Sequence, residues 1–377
     1  MKILLVIDQF DADNNGTTIS AKRFANVLRQ HGNEVRIITT GMETDDKYVV
    51  KEWKMPIGDK LIKSQGMTFA MPNLKTLEEA IGWAEVVHFL MPFALSLAGL
   101  RVANKMKVPH TAAFHVQPEN ITSSIGLKNV TLVNKLLYLA CRDIFYNNFT
   151  HIHCPSNFIA RQLKKNHYTA QLHVISNGID PDFKYCKKPK SKDLDGKIVI
   201  TMIGRLSAEK CQDVIIKAAA ESKYADRTQL VFAGQGPKLA ELTQLGQMLP
   251  NKPIFKFFSK DDLIEMLAMT DLYIHAADIE IEAISCIEAF ACGLVPIIAN
   301  SHRSATPQFA LDKRSLFEPN NHVDLAQTID YWLDNPDELK RMEIKYAEAG
   351  KNYSIDKSVS MIEDMFRTAI NESKMQK

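Results

Sequence analysis

The chemistry most readable in this 377-residue sequence lies in four residues, Arg205, Lys210, Glu280 and Glu288. Arg205 and Lys210 stand in Gly204-Arg205-Leu206-Ser207-Ala208-Glu209-Lys210, directly after the apolar run 198–203. A planar, always-charged guanidinium and a flexible ammonium between a strand end and a helix start suit a diphosphate. Helix N-terminal N–H groups add to that field. A solvated surface also carries such cations, so the pair alone is not diagnostic. Glu280 follows DLYIHAAD, and Glu288 lies eight residues later in a helical stretch. Two carboxylates so placed can accept hydrogen bonds from sugar hydroxyls, one serving a hexose and the other a ribose. Glu282 lies between them, so one of the three is expected to face solvent. Gly234-Gln235-Gly236-Pro237, after QLVFA, lets backbone approach a ligand closely, although any tight loop can use the same residues.

The first half offers fewer candidates. Gly16, in Asn15-Gly16-Thr17, joins the first strand to its helix. His115 ends the strand PHTAAFH, where a neutral imidazole can orient a sugar hydroxyl. Glu119 and Asn120 follow as candidate acceptor contacts. Asp11-Ala12-Asp13 has the D-x-D form of a divalent-metal motif but lacks the surroundings of one. It reads as a solvated polar loop, and no metal site is expected.

Positioning these residues requires two successive α/β units. Strand patterns at 2–8, 34–40, 84–90, 109–115 and 150–156 alternate with helical patterns at 17–32, 92–106, 130–146 and 157–165. Such alternation predicts a parallel sheet covered on both faces. Turn signals at 173–183 and a lysine-rich stretch at 184–197 read as a break and a linker. A second series follows, with strands at 198–204, 229–234, 271–277 and 294–300. The expected domains are 1–178 and 179–354, with a last helix, about 355–377, able to pack back on the first. Open α/β sheets bind ligands at the carboxyl ends of their strands, where the candidate residues stand.

Composition sets further bounds. Net charge is only +2, which implies no nucleic-acid partner. Residues 1–180 hold 20 Lys+Arg against 15 Asp+Glu, and the remainder 26 against 29. A basic first half hints at an anionic surface beside it. The six cysteines form no C-x-x-C pair, so neither zinc nor a disulfide framework is predicted. MKILLVIDQF begins directly as a strand, and its apolar run is too short for a secretory leader. No apolar run reaches membrane-spanning length, and the expected location is cytoplasmic. The first strand–helix turn lacks G-x-G-x-x-G, which argues against an NAD-dependent oxidoreductase.

Taken in order, these motifs resemble the retaining glycosyltransferases of family 4, which have the two-domain GT-B fold. The resemblance covers nearly the whole chain: Ser176-Asn177-Gly178-Ile179-Asp180, GRLSAEK (204–210), AGQGP (233–237), Glu280 with Glu288, and EAFACGLVPIIA (288–299). It implies that Arg205 and Lys210 hold the donor diphosphate and stabilise the departing phosphate without a metal or cofactor. It also implies that Glu288 binds ribose, that Glu280 lies against the transferred sugar, and that attack is front-face. Gly16, Gly204, Gly234, Gly236, Ala283 and Ile284 become donor-binding candidates, and His115 a sugar contact. Two departures stand out. Ile281-Glu282-Ala283 replaces the usual Gly-Phe-Gly, and Ser304-Ala305-Thr306-Pro307 the usual Gly-Gly and glutamate region.

The His-plus-acid loop, the basic first half and the apolar helix 130–146 are similar to bacterial diacylglycerol glucosyltransferases. That similarity implies a hexose, expected to be glucose from UDP-glucose, passed to a lipid at the inner face of the cell membrane. The helix carries Lys135 and Arg142 as its basic residues, and 58–75 adds lysines beside Met and Phe. A core helix and a plain loop are the competing readings of these two segments. A soluble sugar or polysaccharide acceptor, and a GT-B sugar-nucleotide epimerase, are the rival functions.

Overall fold

The computed structural model describes residues 1–11, 16–54, 67–124, 126 and 129–375. It divides into two compact units, Met1–Gly178 with Ile355–Lys377, and Ile179–Ser354.

In the first unit the chain forms β1 (Lys2–Val6), α1 (Gly16–Gln30), β2 (Glu34–Thr39), β3 (Lys47–Val49), α2 (Leu74–Trp83), β4 (Val86–Phe89) and α3 (Ala94–Met106). It continues with β5 (His110–Ala113), α4 (Pro118–Ser124), α5 (Thr131–Ile144), β6 (His151–Cys154), α6 (Asn157–Lys165) and β7 (Gln171–Val174). The seven strands pair in parallel in the order β3-β2-β1-β4-β5-β6-β7. Ile3, Leu4 and Leu5 of β1 are all buried, as a strand covered on both faces requires. The last helix, α13 (Ile355–Met375), returns to this unit. Its Ile355, Val359, Ile362, Met365 and Phe366 join Ile3, Leu5 and Phe24 in one core.

The second unit holds β8 (Ile198–Ile203), α7 (Gln212–Glu221), β9 (Thr228–Ala233), α8 (Leu239–Leu245), β10 (Ile254–Lys256) and α9 (Lys260–Ala268). Then come β11 (Leu272–His275), α10 (Ile284–Ala291), β12 (Pro296–Ala299), β13 (Leu316–Phe317), α11 (His322–Asp334) and α12 (Pro336–Gly350). Its parallel sheet runs β10-β9-β8-β11-β12-β13. The lysine-rich stretch 184–197 is not a free linker. Lys190 pairs with Asp271 at 2.6 Å, Lys187 donates to the Thr270 carbonyl at 3.1 Å, and Leu194 is buried. Each sheet therefore reverses its strand order once, between β1 and β4 and between β8 and β11. Those reversals are the places where an open sheet binds ligands.

One helix departs from a core role. Within α5 only Asn134 and Tyr138 are buried, and both are polar. Asn134 accepts from the Thr122 hydroxyl at 2.7 Å, and Tyr138 donates to Glu119 at 3.2 Å. Leu132, Leu136 and Ile144 point outward, 66%, 56% and 63% exposed. The reading of 130–146 as a core helix is thus overturned. Among the described residues, no helix is long and apolar enough to cross a membrane.

Candidate functional site

The carboxyl ends of β8 and β11 bring three of the four leading residues together. After β8, Gly204 takes φ 155°, a turn that favours glycine. The chain then passes Arg205 and a short 3₁₀ turn (Ala208–Lys210), and Cys211 in the left-handed region starts α7. The Arg205 carbonyl accepts from the buried Gln212 side chain at 2.8 Å, which fixes the turn under the half-buried guanidinium. After β11, Asp278 donates its N–H to the Glu209 carbonyl at 2.9 Å and so ties the two loops.

Glu280 stands at the centre. One carboxylate oxygen, Oε1, is held by the Lys210 ammonium and by His275 Nε2 at 3.2 Å. A carboxylate can only accept, so His275 donates from Nε2, and its Nδ1 is left to accept from the Tyr273 hydroxyl at 3.2 Å. Burial by itself would raise the Glu280 carboxyl; the Lys210 charge and the His275 hydrogen bond outweigh it and hold the group at about 2. Burial likewise opposes charge on Lys210, yet Glu280 keeps its ammonium above the ordinary lysine range. Lys210 is therefore already paired before any ligand arrives. Its ammonium has three donors, so a diphosphate oxygen would share it with Glu280.

A second carboxylate sets the loop behind Glu280. Asp278 is buried and takes both Arg303 hydrogen bonds, at 2.6 and 2.8 Å, together with the Ser301 hydroxyl at 2.8 Å. The Glu280 carbonyl accepts from Ala305 N–H at 2.9 Å. These contacts occupy the region where Gly-Gly was the usual pattern. Glu288 is buried within α10, and Glu282 is buried too, so none of the three glutamates is the solvent-facing one expected. Ala283 and Ile284 open α10, whose first N–H groups have no intrahelical partner. Ala283 sits at φ 68°, a left-handed position that glycine would occupy without strain.

The glycine pair after β9 is required by the packing of the neighbouring turn. A Cβ on Gly234 would lie 2.0 Å from the Gly204 carbonyl oxygen, and one on Gly236 would lie 2.3 Å from that of Leu206. What these glycines admit is the neighbouring turn, sealed by Leu206 N–H to the Gln235 carbonyl at 3.0 Å.

In the first unit the sequence candidates are placed less openly. His115 is buried rather than presented, 6% exposed and edge-on to His153 at 5.3 Å. Its Nε2 has no partner among the described residues, and burial with the neighbouring His153 lowers the ring to about 3, so it stays neutral. Glu119 is engaged by Tyr138, while Asn120 is exposed. Gly16 starts α1 with no described atom within 4 Å of an added Cβ, leaving open space there. Asp11 is partly exposed and paired. Lys47 and the Met42 N–H, at 2.9 Å, hold its carboxylate. Asn15, the rest of Asp11-Ala12-Asp13, and 58–66 lie outside the described residues. No cluster that could hold a metal occurs among the described residues, and all six cysteines are free.

Sequence reasoning missed His275, Asp278, Arg303 and Asp8. Each signal was faint: a polar residue closing an apolar strand or beginning the loop beyond it.

The family comparisons agree with the fold. A family model described as Glycosyltransferase Family 4 matches residues 14–183, and one described as Glycosyl transferases group 1 matches residues 186–350. The alpha-monoglucosyldiacylglycerol synthase of Streptococcus pneumoniae is 24% identical over 325 residues, 80% of this chain and 71% of that protein. A GDP-mannose-dependent alpha-mannosyltransferase of Mycolicibacterium smegmatis is 24% identical over 311 residues, 79% of each. The Anabaena Alr3699/HepE structure in complex with UDP-glucose, 14% identical, superposes with a TM-score of 0.76 over 98% of this chain and 100% of that one. With a family 4 half followed by a group 1 half, each on its own parallel sheet, the chain belongs to the family 4 glycosyltransferases of the GT-B fold.

Proposed function

We propose that this glycosyltransferase moves glucose from UDP-glucose to diacylglycerol at a membrane surface, with retention and without a metal. The observation that carries the lipid acceptor is α5, which leaves Leu132, Leu136 and Ile144 more than half exposed. Full burial of a leucine is worth roughly 1.5–3 kcal/mol. Side chains more than half exposed leave on the order of 1 kcal/mol each for an apolar surface to recover. Arg142, one of the two basic residues of α5, is taken up by Asp143 at 2.7 Å, which leaves Lys135. Adsorption is therefore mainly apolar and only weakly dependent on anionic lipid. The streptococcal relative, by its name, glucosylates a diacylglycerol lipid, which supports both donor sugar and acceptor.

In the donor half, Arg205 and Lys210 supply the cationic stabilisation of developing phosphate charge. Glu280 faces the sugar, and Glu288 takes the ribose. The test is incubation with UDP-glucose and diacylglycerol vesicles, with and without EDTA, followed by anomeric analysis of the product. An α-linked glucolipid formed equally in EDTA is the expected result. Product only on soluble sugars would overturn the lipid reading. A GDP-mannose donor is the second reading, favoured by the equally similar mannosyltransferase. Parallel incubation with GDP-mannose separates the two.

A further inference from the structure

Behind Glu280 a chain of hydrogen bonds runs through the interior of the second unit to the first turn of α10. His275 closes β11 and Tyr273 lies two residues earlier, so both side chains leave the same face of the strand. Both residues are 0% exposed. A polar pair buried inside a sheet is costly unless each group is bonded. Here each is. The Tyr273 hydroxyl meets His275 Nδ1 at 3.2 Å and the Ser285 hydroxyl at 3.3 Å, and His275 Nε2 meets Glu280 Oε1 at 3.2 Å.

The proton count gives this chain a direction. Burial lowers the His275 ring, which is therefore neutral and carries one N–H. Glu280 only accepts, so that N–H is on Nε2. Nδ1 takes the single Tyr273 proton, and Ser285 donates to the Tyr273 oxygen. The Tyr273 hydroxyl thus favours the tautomer in which the ring aims a donor at Glu280.

The effect falls on one carboxylate oxygen. Oε1 receives both Lys210 and His275. Oε2 accepts no hydrogen bond among the described residues, and the side chain is 14% exposed. A Glu carboxylate turns easily about its last bond. Two donors on Oε1, from separate elements, fix its plane and leave Oε2 for a ligand. Lys210 alone does this poorly, since its ammonium rides on a flexible four-carbon stem. His275 is anchored in the sheet.

We propose that His275, held by Tyr273, is a positioning residue of the transfer reaction, fixing Glu280 so that Oε2 meets a hydroxyl of the transferred sugar. The proposal rests on the reading of Glu280 as the sugar-facing carboxylate and names what aims it.

The readout is the dissociation constant of UDP-glucose divided by that of UDP, with GDP-mannose and GDP measured in the same way. His275→Leu should raise this ratio about tenfold, the worth of one hydrogen bond to a charged group. His275→Gln, whose amide N–H replaces the lost donor, should stay within about twofold of the parent. In a Glu280→Gln background, His275→Leu should add less than about twofold, whereas an independent structural role would add its full factor. A ratio raised by Glu280→Gln but not by His275→Leu would overturn the positioning role and leave Glu280 at the sugar. A ratio unmoved by Glu280→Gln would remove the sugar-facing reading, and this proposal with it. Should His275→Leu lose UDP binding altogether, Tyr273→Phe decides, because it removes only the hydroxyl. A rise of about threefold is then expected, and no rise would overturn the proposal.

Discussion

Two carboxyl groups, one in each half of this chain, stand close to the strand reversals of their sheets and behave in opposite ways. Glu280 follows β11 in the second unit, beside the strand reversal, and Asp8 follows β1 at the reversal in the first. Glu280 is held at about 2 by Lys210 and His275, whereas Asp8, with backbone hydrogen bonds and no counter-charge among the described residues, is raised to about 7 by burial. Burial pushes both upward; what differs is the partner. The second unit keeps a fixed negative charge inside a paired network. In the first unit the Oδ2 of Asp8 has no partner among the described residues.

The largest test of this contrast is Lys210→Ala. It strands Glu280 as a buried charge, a change worth about 3–5 kcal/mol, and removes a cation from the donor phosphates. Transfer should fall about 100- to 1,000-fold in kcat, measured with saturating acceptor. The pH profile sharpens it. Because the folded carboxyl lies below its ordinary 4.5, Glu280 stabilises the parent above that value, and the contribution is lost as pH falls towards 2. Denaturant titrations of Lys210→Ala should show that acid dependence flattened or reversed.

Asp8→Asn should show the opposite sign. With a folded value near 7 against an ordinary 3.8, the parent loses stability as pH rises between them, by up to about 1.4 kcal/mol per unit. The variant should lack that decline and overtake the parent towards pH 7 in urea melts. A decline that persists would mean that Asp8 is ionised and paired in solution.

A smaller effect is expected on the surface that delivers the acceptor. Leu132→Ser with Leu136→Ser should cut vesicle co-sedimentation about tenfold, with little response to salt and unchanged turnover on dioctanoylglycerol. Strong loss of parent binding in salt would place the contact on charge instead. The smallest is Ala283→Gly. Relief of the left-handed alanine, about 1 kcal/mol, is partly offset by the freedom glycine gains when unfolded. A net gain of about 0.5 kcal/mol in urea melts, with UDP binding retained, is the expected outcome.

Much of this was legible beforehand, and the misses have physical causes. The segment Asn157–Lys165 was read to the residue, because Ser156 caps its start, accepting from Ile159 N–H at 3.2 Å, and its apolar period is clean. Helices α11 and α12 went unread, although Asn321 caps the first and Pro336 begins the second. The three-residue strands β3 and β10 carry too few residues to show a period. In α5 the apolar period was evident, but a hydrophobic stripe does not say which way it faces.

The sequence alone determined the tandem α/β plan, the family, and the placing of Arg205, Lys210 and Glu280 at strand ends, since these follow from local pattern and motif order. Tertiary structure alone decided which groups meet. It paired Lys210 with Glu280, set His275 and the Asp278–Arg303 pair behind them, buried His115, and left Asp8 Oδ2 without a partner among the described residues. The reason is that a carboxyl's charge depends on desolvation and on neighbours tens of residues away, and neither is a property of its own stretch of chain.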